Sequence, residues 1–109
     1  MNQWEIWTYS FPAGDHPAVI LSPPELCSND DIDELNVLFA SSARPINRPP
    51  KSHEVVLDES DGLDWKTVVR CHRIYLVKRS ALKIKRGLVS TSRRREIARK
   101  LVEVFRLSL

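Results

Sequence analysis

Cysteine is scarce in this sequence, with only Cys27 and Cys71 among 109 residues. Two thiols without CxxC spacing exclude a disulfide framework, and together with His53 and His72 they match no Cys/His pattern of a zinc site. The neighbouring side chains of Cys71 and His72 would also point to opposite faces of a strand. The sequence therefore predicts no bound metal and no cofactor.

Long apolar runs are also missing. No stretch approaches the ~20 apolar residues needed to cross a bilayer, and residues 1–5 lack the basic and apolar character of a signal peptide. Hydrophobic residues make up 42% of the chain and charged residues 28%, a balance typical of folded globular proteins. We expect one domain over residues 1–109, located in the cytoplasm.

Basic residues are absent from the first part of the chain. Residues 1–43 contain seven acids and no Lys or Arg, whereas residues 66–109 contain fourteen Lys or Arg and only two acids. Such a positive field favours a polyanionic partner, although a solvated basic face that offsets the acidic half explains it equally well.

Three neighbouring arginines stand at the start of the predicted C-terminal helix. There Arg93, Arg94 and Arg95 each oppose the helix macrodipole by ~0.3–1 kcal/mol. Their position indicates contacts with phosphate, contacts with acidic side chains of a partner, or plain exposure to solvent.

Most of the chain has the pattern of short strands. Alternation over residues 4–11 and an apolar run at residues 18–21 predict a hairpin. Further strands are predicted at residues 35–40, 53–57, 65–71 and 74–77. Residues 23–34 are predicted to be an acidic surface loop with one helical turn near Glu25 and Leu26, and residues 41–51 an exposed basic loop.

Only the end of the chain has a helical pattern, with one apolar face and a candidate N-cap at Ser92. That face carries Ile97, Leu101, Val104 and Phe105. The whole pattern predicts a mainly β fold, a small barrel of five to seven strands with a C-terminal α-helix.

Six segments, in this order and spacing, resemble the MazF/PemK family. They are Trp4-Glu5-Ile6-Trp7, His16-Pro17-Ala18-Val19-Ile20, residues 37–42, His53-Glu54-Val55-Val56-Leu57, Gly62-Leu63 and residues 67–82. The resemblance implies an SH3-like barrel of the CcdB/PemK type that forms a homodimer. It also implies cleavage of single-stranded RNA without a metal, and silencing by an antitoxin whose tail covers the RNA groove.

The resemblance also implies two catalytic positions. The family has an Arg at the start of the second strand and a Thr or Ser after the third, and these positions hold His16 and Ser42 here. An imidazole with an ordinary pKa of ~6.5 suits proton transfer at neutral pH better than a guanidinium does. Alternatively, His16 is an exposed turn histidine and Ser42 is only part of a turn.

Five further residues are predicted to bind substrate. Arg44 follows Ser42 and offers the positive charge that the missing Arg would have supplied. The full set is Ser41, Arg44, Arg48, Lys51 and Arg73. His53 is predicted to brace a loop, and His72, which stands where the family has an acid, makes the groove more basic.

The sequence thus predicts the toxin of a type II toxin–antitoxin system, an mRNA interferase that leaves 2′,3′-cyclic phosphate and 5′-hydroxyl ends. The first turn is shorter than in the family, so recognition of RNA is expected to differ. Two alternatives remain because the family Arg is replaced. One is a non-catalytic toxin resembling CcdB, which binds gyrase, and the other is a nucleic-acid-binding barrel with no toxin role.

Overall fold

The computed structural model of the protein describes residues 1–41, 45 and 47–108. Within these residues, six strands form one curled antiparallel sheet in the order β4-β5-β3-β2-β1-β6. The strands are β1 (Glu5–Phe11), β2 (Gly14–Ile20), β3 (Glu34–Ser41), β4 (Glu54–Leu57), β5 (Thr67–Lys78) and β6 (Lys83–Leu88). The helices are α1 (Pro24–Cys27) and α2 (Thr91–Phe105), with short 3₁₀ turns at Glu59–Asp61 and Arg79–Ala81. The prediction of a mainly β fold with a C-terminal helix is confirmed.

The hydrophobic core is divided between the two faces of the sheet. Alternate residues of each strand point to opposite faces, so Leu38 and Phe39 belong to different apolar clusters. One cluster is covered by α2 through the fully buried Ile97. The other contains Phe11 and Phe39, and it is joined by Cys27 of α1. Cys71 and Cys27 lie in different clusters, on opposite faces of the sheet, so they do not form one site.

Strand β5 differs from the prediction because it is continuous. Leu38 pairs with Ile74, and Ala40 pairs with Val69, so the single residue Phe39 faces residues 70–73 of β5. Such an irregularity bends a strand. The first part of β5 lies between β4 and β3 and pairs with both, whereas residues 74–78 pair with β3. The predicted strands at residues 65–71 and 74–77 are therefore two halves of one element.

Two further predictions were wrong in detail. The helix begins at Thr91 with Ser90 as its N-cap residue, so Ser92 lies inside the helix. Phe105, assigned to the buried face, is 45% exposed. Strand β6 was not predicted, since four of its six residues are charged or glycine and its pairing with β1 is interrupted by two register shifts.

The acidic loop before β3 is held by one guanidinium. Arg79 donates hydrogen bonds to the backbone oxygens of Leu26, Cys27, Asn29 and Ile32, at 2.7–3.2 Å. These carbonyls lie at and after the end of α1, where helical carbonyls lack partners. None of the helices in the described part of the chain is long and apolar enough to span a membrane.

Candidate active site

His16 lies near the start of β2, opposite Tyr9 of β1. The hairpin turn that precedes it requires Gly14, whose φ of 115° is unfavourable for other residues. Nδ1 of the imidazole is buried without a hydrogen-bond partner. Nε2 is therefore the nitrogen that remains for an incoming group.

The last residues of β3 and the first residues of β2 lie at the same end of the sheet, because the two strands are antiparallel neighbours. Their last paired residues are Ala18 and Phe39, and two residues further along stand His16 and Ser41. Ser41, predicted to bind substrate, is half-buried and pairs with Val68 of β5. Ser42 and Arg44 lie outside the described residues.

Phe39 brings two of the predicted site residues together. The centroid of its ring is 5.0 Å from that of His16 and 5.4 Å from the guanidinium carbon of Arg73. Phe39 is itself only 4% exposed, and its ring meets that of Phe11 edge to face at 4.8 Å. An imidazole of β2 and a guanidinium of β5 thus share one aromatic neighbour on β3.

A second group of polar residues lies where β5 bends. The imidazoles of His53 and His72 meet edge to face with 4.3 Å between their centroids. Partial burial, the neighbouring His53 and the nearby Arg73 and Arg70 lower the pKa of His72. Nε of Arg70 is buried without a hydrogen-bond partner. This strip of the surface therefore brings two imidazoles together with the guanidinium groups of Arg70 and Arg73.

Arg48 and Lys51, also predicted to bind substrate, both contact Glu54. The Arg48 guanidinium makes a bidentate pair with this buried carboxylate, at 2.8 and 3.0 Å. The backbone N–H of Lys51 donates to the same carboxylate at 2.8 Å, while its side chain is exposed. These bonds, that of Arg48 foremost, lower the pKa of Glu54 to about 2. Much of the charge of Arg48 is thus offset within the protein.

Phe39 and Arg70 lie beside the predicted site residues, and sequence reasoning missed both. In the sequence, Phe39 is one of several apolar residues of the third strand, and Arg70 one of many cations. Nothing in their spacing signals the irregular pairing that places them beside the predicted residues. Within the described residues, no group of three or more His, Cys, Asp or Glu side chains is arranged to hold a metal ion.

Comparison with solved structures finds the same fold. An endoribonuclease in complex with its cognate antitoxin from a mycobacterial species superposes with a TM-score of 0.83 at 16% identity, over 100% of this chain and 98% of that chain. The toxin MazF-mt6 of Mycobacterium tuberculosis gives 0.81 at 18% identity, over 96% and 99%. The MazE-MazF structure of Deinococcus radiodurans gives 0.75 at 19% identity, over 99% and 97%.

Comparison of the sequence itself is more decisive. Curated proteins give no significant match. The family profile of PemK-like, MazF-like toxins of type II toxin–antitoxin systems, however, matches residues 2–105. The match spans all six strands and both helices. The chain therefore belongs to the PemK-like, MazF-like family of type II toxins.

Proposed function

We propose that this toxin is an mRNA interferase, an endoribonuclease that cleaves single-stranded RNA by transesterification without a metal ion. The observation that carries the proposal is that His16 and Arg73 both pack against the ring of Phe39. This ring lies at the end of the sheet where β2 begins and β3 ends. The family and the description of one structural neighbour as an endoribonuclease support it. The cation-rich strip along β5 supplies a surface for the RNA backbone.

In the proposed reaction His16 transfers the proton and Ser42 contacts the phosphate. Nε2 of His16 accepts the proton of a ribose 2′-hydroxyl, and the 2′-oxygen forms a bond to phosphorus. The bond from phosphorus to the 5′-oxygen breaks, and that oxygen takes a proton from the imidazolium or from water. Arg73 and Arg44 offset the negative charge that develops on the phosphorane. The products carry a 2′,3′-cyclic phosphate and a 5′-hydroxyl.

The remaining predicted residues are assigned to the rest of the RNA. Ser41 and the exposed Lys51 side chain contact phosphates beside the scissile one, and Arg48 contributes less because Glu54 holds it. We further propose a cytoplasmic homodimer silenced by a cognate antitoxin. The exposed Phe105 and Leu107, at 45% and 55%, offer apolar surface for an interface between two copies.

The test is to incubate the purified protein with a long RNA and to map new 5′-hydroxyl ends. His16→Ala and Ser42→Ala are each expected to reduce cleavage about a hundredfold or more. The control Ser80→Ala changes an exposed serine of the 3₁₀ turn after β5 and is expected to cleave normally. A 2′-deoxy nucleotide at the cleavage site should block the reaction, whereas EDTA should not.

The same assay separates the alternatives. RNA that stays intact at high protein concentration, but is bound in a salt-sensitive manner, would indicate a nucleic-acid-binding barrel. Intact RNA without binding would favour a toxin that acts on a protein target.

A further inference from the structure

The imidazole of His16 and the guanidinium of Arg73 have an unusual environment for site residues. Neither makes a hydrogen bond or an ion pair with any residue in the described ranges. A histidine that transfers protons is commonly oriented by a hydrogen bond to its second nitrogen. Here that nitrogen, Nδ1, is buried and unpaired. The orientation of both groups must therefore come from packing.

The surface that both groups pack against is the ring of Phe39. Ala18 is its cross-strand partner on β2, and His16 lies on the same face two residues away. On the other side Leu38 pairs with Ile74, and Arg73 is the first residue of the irregular part of β5 next to that pair, with its guanidinium 5.4 Å from the Phe39 ring. The small side chain of Ala18 leaves room for the imidazole beside the ring.

The contacts have the geometry of favourable aromatic interactions. The guanidinium lies within the ~6 Å at which a cation interacts with a ring face. The imidazole is tilted by 56° to the ring, with 5.0 Å between centroids, within the range of attractive aromatic pairs. The Phe39 ring is in turn held in place by the edge-to-face contact with Phe11 and by its burial in the core, where it is only 4% exposed. It is thus a rigid support between two groups on different strands.

We propose that Phe39 is a positioning residue, which holds the His16 imidazole and the Arg73 guanidinium at a fixed separation so that both act on one phosphodiester. The proposal rests on the proposed function, because it assigns these two groups to RNA. It differs from it in that Phe39 touches no reacting atom. Its loss should therefore affect the rate of the chemical step more than the fold.

The experiment compares Phe39→Leu with Leu35→Ala. Leu35 is fully buried in the same apolar cluster and lies on the same strand, but it stands four residues before Phe39 and pairs with Val77, away from His16 and Arg73. A misplacement near 1 Å costs about a hundredfold in rate, so Phe39→Leu should lower kcat ten- to a hundredfold. KM should rise about threefold because the cation–ring contact is lost. Leu35→Ala should lower Tm at least as much, because it leaves a cavity in the same cluster, but it should leave kcat unchanged.

A conservative variant and a double variant make the test stricter. Phe39→Tyr keeps the ring and should recover most of kcat. In a His16→Ala background, Phe39→Leu should lower kcat little further, because the group that it positions is gone. Equal losses of kcat in Phe39→Leu and Leu35→Ala, or full additivity with His16→Ala, would overturn the proposal.

An NMR readout is independent of RNA cleavage. The ring current of Phe39 should shift the imidazole resonances of His16, and the shift should vanish in Phe39→Leu but persist in Leu35→Ala. If the wild-type protein cleaves no RNA, the proposed function fails, and this comparison alone decides whether Phe39 holds the side chains. Unchanged His16 resonances in Phe39→Leu would reject the positioning role.

Discussion

At the scale of single residues, the buried carboxylates are the most consequential charges. Glu54 is 3% exposed and accepts hydrogen bonds from Arg48 and from the backbone of Lys51. Arg70 approaches Oε2, which also accepts from Arg48, at 4.0 Å. The Arg48 contact is the largest cause of a pKa near 2, which outweighs the opposing effect of burial. The folded protein therefore stabilises the ionised form of the Glu54 carboxylate.

This gives Glu54 a defined effect on stability as a function of pH. Because its folded pKa lies below the ordinary value of 4.5, its contribution is complete above about pH 4.5 and is lost as pH falls toward 2. Glu54→Gln should lower the free energy of unfolding by about 2 kcal/mol at pH 7. The deficit relative to wild type should shrink between pH 4.5 and 3 in urea unfolding curves.

The control for this change is Glu25→Gln. Glu25 is exposed and has no ion pair within the described ranges, so the substitution should alter the free energy of unfolding at pH 7 by less than about 0.5 kcal/mol. A deficit for Glu54→Gln that stays constant from pH 7 to 3 would contradict the role assigned to its charge.

At the scale of elements, the start of α2 explains an oddity of the sequence. Arg93 donates to the backbone oxygen of Val56 at 2.6 Å and pairs with Asp58 and Asp61 at 3.2 and 3.1 Å. Asp61 is 1% exposed and also accepts from the backbone N–H of Ser90. The cation thus joins the helix to the turn after β4. Arg94 also donates to the backbone oxygen of Val89 at 2.8 Å. Two of the three arginines therefore make their contacts within this chain.

Removing Arg93 should therefore weaken the attachment of α2 to the sheet. Arg93→Ala is expected to cost about 2 kcal/mol, because it leaves the buried Asp61 without its charged partner. The neighbouring Arg95 is exposed, and Arg95→Ala should be neutral or slightly stabilising, since it removes a cation that opposes the macrodipole. Chemical unfolding of both variants measures the difference. Equal costs would mean that the ion pairs contribute nothing beyond helix propensity.

How far the sequence predicts each element depends on whether its pattern is local. The hairpin of β1 and β2 and the helix α2 follow from alternation, turn residues and helical spacing, all of which are local. Strand β6 does not, because Lys83, Lys85 and Arg86 carry no alternation and the strand is ordered by pairing with β1. Its pairing is a tertiary effect that no short window contains.

The candidate site shows the same division. The position of His16 near the start of β2 follows from the predicted hairpin. Its proximity to the end of β3 follows from the resemblance to the family. The contact of Phe39 with Arg73 depends on the irregular register between β3 and β5. The pairing of Arg48 with Glu54 could not be predicted either, since a surface cation and a strand acid show no sign of contact in sequence.

At the scale of the whole molecule, the two edge strands of the sheet approach each other without pairing. Gly87 of β6 lies against Gly62, which belongs to the turn after β4. A Cβ built on Gly62 would stand 2.9 Å from Cα of Gly87. A Cβ on Gly87 would overlap the backbone oxygen of Asp61. Gly62 also ends the 3₁₀ turn with a φ of 88°, which favours glycine. The curl of the sheet is thus completed by a backbone contact.

This contact predicts that Gly87→Ala is among the most damaging small substitutions in the chain. The new methyl group meets backbone that cannot rotate away, and overpacking of this kind costs about 3 kcal/mol. Gly14→Ala is the matched control, since its Cβ meets nothing within 4 Å and only the φ of 115° is unfavourable, at about 1 kcal/mol. Urea midpoints with unchanged m-values would measure both.

The same substitution should also be coupled to the helix. Displacing Asp61 separates its carboxylate from Ser90 and Arg93, so Arg93→Ala should cost less in a Gly87→Ala background than in the wild type. If the two losses instead add fully, the sheet edge and the helix are held independently. Coupling of 1 kcal/mol or more, on the order expected for residues that share a partner, would show that Asp61 links the closure of the sheet to the docking of α2.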